Sequence, residues 1–148
     1  MPNEFKYLPK GFDYCKDISW DDVIKKISRE YEVGTNKALL DQRYAPTFVL
    51  MNGYFPGTIQ QIYDEVKDRE GINEMHIYTS LGKGSPTFGK HNDTTDVLIV
   101  QSVGKMIYEV EDKKYDLYPG DGMYIPAGVY HAPFVLEPRI TLSFAWSK

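Results

Sequence analysis

The chain contains three histidines, and two of them lie in surroundings that suggest chemistry. In Gly89-Lys90-His91-Asn92-Asp93 an imidazole and a carboxylate stand two positions apart, so on an extended segment both side chains leave the same face. A pair of that kind can share a ligand. A borderline divalent metal such as iron(II) accepts imidazole nitrogen and carboxylate oxygen alike, and two histidines with one carboxylate on one side leave coordination positions open for other molecules. His131 is the natural third donor, because it follows Pro119-Gly120-Asp121-Gly122-Met123-Tyr124-Ile125-Pro126-Ala127-Gly128. The glycines and prolines of that stretch mark two tight turns around a short strand, which can bring the chain back. A lone H-x-D pair arises often by chance. Joined to P-G-D-x-x-Y-I-P-x-G-x-x-H further along, it is a specific signal.

The elements that must position these side chains are strands. From Met75 onward, β-branched and aromatic runs alternate with Gly, Pro and Asp clusters. Strands are predicted at about Met75–Thr79, Asp96–Val103, Lys105–Val110, Tyr115–Leu117, Gly122–Ile125, Tyr130–Val135 and Arg139–Trp146, a density that suggests a sandwich or barrel. The preceding part reads differently. Ser19 begins an S-x-x-D capping pattern for a helix from about Trp20 to Tyr31, with Val23, Ile24, Ile27 and Tyr31 at helical spacing and Gly34 as a stop. After a strand at Phe48–Met51, Thr58 and Gln61 form a T-x-x-Q capping signal for a short helix over Ile59–Lys67 that Gly71 closes. These helices are expected to cover a face or edge of the β unit.

At 148 residues, one domain over 1–148 is expected, helical over about 1–72 and a β-barrel over about 73–148. Lys and Arg total 17 against 21 Asp and Glu, for a formal charge of -4, the opposite of the bias that phosphate binding requires, so no nucleic-acid partner is expected. The single cysteine, Cys15, cannot form an internal disulfide, the start of the chain does not read as a signal peptide, and no apolar run reaches the roughly 18 residues of a membrane span. A soluble protein of the reducing cytoplasm, with no membrane partner, is the expectation.

The segment His91-Asn92-Asp93-Thr94-Thr95-Asp96-Val97-Leu98-Ile99-Val100-Gln101-Ser102-Val103-Gly104-Lys105 resembles the H-x-D-x-x-D-V-F-(I/L)-(I/L)-Q-x-x-G-(K/R) stretch of the JmjC-like, cupin-fold oxygenases, particularly their ribosomal-protein hydroxylase branch. Pro119 to His131 is similar to their second motif, and the likeness runs from about Tyr78 to Trp146. It implies a mainly β double-stranded β-helix with helices packed outside, iron(II) held by His91, Asp93 and His131, and 2-oxoglutarate with dioxygen as co-substrates.

One position departs from the family. Where those enzymes commonly place a Lys or Arg that pairs with the distal carboxylate of 2-oxoglutarate, this chain has Met106, which offers no charge-assisted hydrogen bond. Arg139 is the candidate replacement, since Arg139, Thr141 and Ser143 alternate on one face of the last strand and a related oxygenase group uses an R-x-S or R-x-T pair there. Lys105 should point to the opposite face from Met106. Tyr78 and His76 share a face of an earlier strand and can line the same cavity, and Gln101 reads equally well as a cavity liner or a solvated residue. The alternative is a metal-binding cupin without 2-oxoglutarate: an isomerase, a dioxygenase or a non-catalytic ligand-binding module. Ribosomal-protein hydroxylases carry extra domains for substrate capture and dimerisation, so a small-molecule substrate is favoured here over a protein residue. Because cupin-type sheets frequently pair across an edge, a homodimer is also an expectation.

Overall fold

A computed structural model describes residues 4–32, 38–39, 46–51 and 55–147. The elements run β1 (Lys6–Leu8), a 3-10 turn (Asp13–Cys15), α1 (Trp20–Glu32), β2 (Ala38–Leu39), β3 (Thr47–Leu50), α2 (Gly57–Glu70), β4 (Glu74–Ser80), β5 (Val97–Val103), β6 (Met106–Val110), β7 (Lys113–Leu117), β8 (Gly122–Ile125), β9 (His131–Val135) and β10 (Arg139–Ala145). The seven strands expected from Met75 onward lie within a residue or two of their predicted bounds. β1, β2 and the 3-10 turn, too short to carry a periodic pattern, were not anticipated.

The strands form two antiparallel sheets, one of seven strands in the order β1-β8-β5-β10-β4-β3-β2 and one of three in the order β7-β6-β9. Side-chain alternation decides what each face meets. On β5, Val97 and Ile99 join Met106, Tyr108, Val110, Leu117, Met123, Ile125 and Val135 in a core between the sheets. Their neighbours Leu98 and Val100, with Ile77, Ile140, Leu142 and Phe144, turn to the other side of the large sheet and pack against Val23, Ile59, Ile62 and Val66 of the two helices. The helices thus cover one outer face, as expected. The Met106 side chain is wholly buried between the sheets, opposite Leu117 and Val135.

The helix ends correct two expectations. The Ser19 hydroxyl does accept from the Asp21 amide at 3.1 Å, so the first cap is as read. Thr58, however, lies inside α2 and caps nothing, because its amide and hydroxyl both donate to Oδ2 of Asp22 on α1, at 3.1 and 2.7 Å. Gly57 has φ +45°, and a Cβ there would come within 2.8 Å of that same carboxylate. A side chain from a distant helix supplies what a local T-x-x-Q box would have supplied. The buried face of α1 also differs. Ile24 is 55% exposed, whereas Lys26 and Glu30 are buried as an ion pair at 3.1 Å, with the Lys26 ammonium 4.6 Å from the Phe55 ring centre. Gly71 ends α2 in the left-handed region, as expected, and the Gly34 stop lies outside the described residues.

Two details of the sheets set the site. Gly104, in the β5–β6 turn at φ +76°, would carry a Cβ 2.2 Å from the Pro138 carbonyl oxygen, so only glycine lets β10 begin at Arg139 against this turn. β9 ends the small sheet, and on its outer side His131 exchanges backbone hydrogen bonds with His91, N to O at 2.8 and 3.0 Å. Pro133, two residues on, faces that same outer side, where its missing N–H breaks no ladder.

Candidate metal centre

The bridge between His91 and His131 places two imidazoles side by side, with ring centres 4.4 Å apart. Asp93 follows on the same face. Its backbone carbonyl accepts from Gly128 at 3.0 Å, and Oδ1 of Asp96 accepts from the Ala127 amide at 2.8 Å, so the Pro126–Gly128 turn is laced to the H-x-D segment. Asp96 therefore holds a turn rather than beginning β5.

His131 Nε2 lies 3.3 Å from Asp93 Oδ2, His91 Nε2 lies 3.8 Å from Asp93 Oδ1, and one donor atom from each of the three residues falls within 4.8 Å of the others. The opposite ring nitrogens are occupied: His91 Nδ1 contacts the Gly89 carbonyl at 2.8 Å and His131 Nδ1 the Val129 carbonyl at 3.0 Å. A ring whose Nδ1–H donates to a carbonyl is fixed with its Nε2 aimed at the shared point, the arrangement found behind metal-bound histidines. Hydrogen bonding from His131, outweighing the cost of burial, holds the Asp93 carboxyl below its ordinary value. Two imidazoles and a carboxylate aimed at one point, with His131 buried and His91 and Asp93 half-buried, fit a divalent ion with open positions.

The three donors face the space between the sheets. Along the inner face of the large sheet, β4 and β10 pair in four rungs: Ser80 with Arg139, Tyr78 with Thr141, His76 with Ser143, and Glu74 with Ala145. A cavity of about 480 Å³, open to solvent, is lined by the triad and by Tyr78, Phe88, Tyr108 and Arg139. Arg139 is 2% exposed. Its Nε donates to Ser80 Oγ at 2.8 Å and its Nη1 to Thr141 Oγ1 at 3.0 Å, its guanidinium carbon lies 5.9 Å from the Tyr78 ring centre, and the Tyr108 phenol lies against it. Burial lowers its pKa, yet a guanidinium stays charged at any physiological pH. Among the described residues no carboxylate lies within ion-pair distance of it. Burial likewise raises the Tyr108 phenol, and it pushes Tyr78 up to about 12, so both are neutral hydroxyls.

Of the other residues singled out from sequence, Thr141 is buried, accepting from Arg139 and donating to Gln101 Oε1 at 2.8 Å. It steadies the guanidinium instead of facing the open space. Gln101 is neither solvated nor free, since its amide nitrogen donates to the Val103 and Gly104 carbonyls. Lys105 points outward over the Tyr118 ring, near Asp116, as expected. His76 shares a second chamber with Tyr78 and Asp93. Sequence reasoning passed over Tyr108, Ser80, Thr47 and Phe88. Ser80 Oγ and Thr47 Oγ1 share a hydrogen bond at 2.8 Å beside the guanidinium, and Phe88, 52% exposed, meets both Tyr78 and His91 edge-on at the mouth.

No family model matches the chain, and a search of curated proteins finds no match. Solved structures do match. The ribosomal oxygenase YcfD of Escherichia coli superposes with a TM-score of 0.72 at 21% identity, covering 97% of this chain and 48% of YcfD. Its complex with cobalt and 2-oxoglutarate gives 0.63 at 19% identity, over 98% and 48%. A cupin superfamily protein of Desulfitobacterium hafniense gives 0.53 at 14%, over 74% and 84%. The chain spans about half the length of YcfD. Likeness at such identities shows the fold: a mainly β, cupin-type jelly roll, the double-stranded β-helix expected. The match to YcfD reaches well beyond the Tyr78–Trp146 stretch that carries the motifs, into the helical part.

Proposed function

We propose that this cupin-fold chain is a non-haem iron(II) oxygenase in which His91, Asp93 and His131 hold the metal and Arg139 anchors 2-oxoglutarate. The observation that carries this reading is Arg139 itself: a buried guanidinium without a carboxylate partner among the described residues, opening on the same cavity as the triad. An isolated buried cation is costly unless something compensates it. A ligand carboxylate would do so, and the complex of YcfD with cobalt and 2-oxoglutarate supplies a precedent for that ligand in this fold.

Bound at the triad, iron(II) with a 2-oxo acid would supply oxidative decarboxylation coupled to hydroxylation, turning 2-oxoglutarate, dioxygen and a substrate C–H into succinate, carbon dioxide and C–OH. The chain's own part is to orient and exclude. The Nδ1 contacts to Gly89 and Val129 fix the imidazoles, Ser80 and Thr141 fix the guanidinium, and the neutral Tyr78 and Tyr108 hydroxyls can donate to a bound carboxylate. Phe88 covers the mouth.

Met106 favours a second reading, a metal-binding cupin without the keto acid, because the usual anchor position is core. One measurement separates the two. Adding iron(II) and then 2-oxoglutarate without oxygen should give the visible charge-transfer band of the chelate, and Arg139→Met should need far more 2-oxoglutarate to reach it. Metal binding without the band in the unaltered protein would select the second reading.

A further inference from the structure

The four rungs of β4 and β10 carry opposite charges at their two ends. Ser80–Arg139 is the cationic end, and Glu74–Ala145 is separated from it by three rung spacings, about 20 Å at the usual strand rise. The triad opens between them. A second chamber of about 440 Å³, open to solvent, adjoins the first through Tyr78, Asp93 and Ser143 and is lined by Glu74, His76, Thr94, Thr95, Val97 and Ala145. It contains no Lys or Arg. Once a divalent ion neutralises Asp93, Glu74 is the one carboxylate left in its lining.

Glu74 is half-buried. One carboxylate oxygen bonds the Ser147 hydroxyl, and the other lies 2.9 Å from His76 Nε2, out of line for a hydrogen bond, so that this buried ring nitrogen has no hydrogen-bond partner. Around them stand the Thr94, Thr95 and Ser143 side chains. An acceptor-rich chamber with one carboxylate, next to the open coordination face, suits a ligand that brings hydrogen-bond donors and a positive charge. We propose that this chamber is the subsite for the molecule to be oxidised and that it takes a small primary amine, whose ammonium group meets Glu74 while its carbon chain reaches toward the triad. The inference rests on the oxygenase reading, in which the keto acid fills the Arg139 end. The same charge distribution separates the two ligands: an anion is drawn to Arg139 and turned away by Glu74, and an ammonium ion the reverse.

The test uses the whole chain loaded with zinc(II), which supplies the charge at the triad without redox chemistry, and follows backbone amide resonances by NMR. Titration with n-butylammonium should move the His76, Thr94, Thr95 and Ala145 signals saturably, with affinity about tenfold or more above that of n-butanol. Butyrate should leave these signals in place. Glu74→Gln, which retains an acceptor for Ser147, should reduce n-butylammonium binding to the level of n-butanol. Equal binding of alcohol and ammonium, or shifts confined to other residues, would overturn the proposal. So would an unchanged affinity in Glu74→Gln. If that variant does not fold, the three-ligand contrast in the unaltered chain decides. Failure of zinc to bind at His91, Asp93 and His131 would defeat the oxygenase reading and this inference together, whereas zinc binding without amine selectivity would defeat the inference alone.

Discussion

Lys26 and Arg139 are both sealed from water, at 1% and 2% exposure, yet their surroundings have little in common. Lys26 lies on α1 against the helical flank, 3.1 Å from Glu30 and over the Phe55 ring, and Oε1 of Glu30 also accepts from the Met51 amide. Its charge is balanced inside the fold. Among the described residues Arg139 has only hydroxyls and tyrosine rings about it, and it faces a cavity. A buried cation with its counter-charge is part of the architecture; on the reading proposed above, a buried cation that lacks one is held ready for a ligand.

The sharpest way to break this comparison is to remove the counter-charge from the helical flank. Glu30→Ala removes the carboxylate 3.1 Å from Lys26 and should cost about 3–5 kcal/mol in urea unfolding, whereas the double change Lys26→Met, Glu30→Leu should cost little or stabilise. A loss in the double variant equal to that of the single one would show that the pair matters for more than charge balance.

For Arg139 the missing partner should arrive with the ligand. With iron(II) and no oxygen, 2-oxoglutarate at a hundred times its dissociation constant should raise the unfolding free energy by about 2.7 kcal/mol. Arg139→Met should weaken 2-oxoglutarate binding by roughly 30-fold or more in the charge-transfer titration, while ligand-free stability stays within about 1 kcal/mol. If that variant lost stability as Glu30→Ala does, Arg139 would belong with Lys26 as architecture.

An exposed charge marks the small end of the scale. Asp22→Ala should cost about 1 kcal/mol, the worth of a helix cap. The hydrogen bonds from Thr58 hold the Asp22 carboxyl below its usual 3.8. A lowered value in the folded protein means that the stabilisation is fully present above the unfolded value near 4 and fades as pH falls through the folded one. The gap between the unaltered chain and Asp22→Ala should therefore be widest at neutral pH and close in acid, as read from urea midpoints.

Much of the β unit was legible because its side chains obey a period of two and its turns are marked by glycine and proline. Val97 to Val103 and Arg139 to Ala145 are examples. His91, Asp93 and His131 could be picked out because their spacing carries meaning within one short segment each. What sequence could not supply was register. Ser80 lies against Arg139, Thr47 against Ser80 and Tyr108 against the guanidinium only because β3, β4, β6 and β10 pair and pack as they do. Thr58 misled for the same reason, since its true partner, Asp22, lies on another helix. Of the expected face of α1, Val23 and Ile27 pack inward while Ile24 turns out and Lys26 goes in, because a buried ion pair reads in sequence as a solvated one.

Pro133 has a further bearing on how these molecules behave in crowded solution. At the outer rim of β9 it offers a carbonyl with no matching amide, so an extended segment from another molecule approaching there would find its ladder broken at the second step. That margin resists the strand-by-strand accretion through which sheets coalesce into fibres, and copies that associate must meet along some other border.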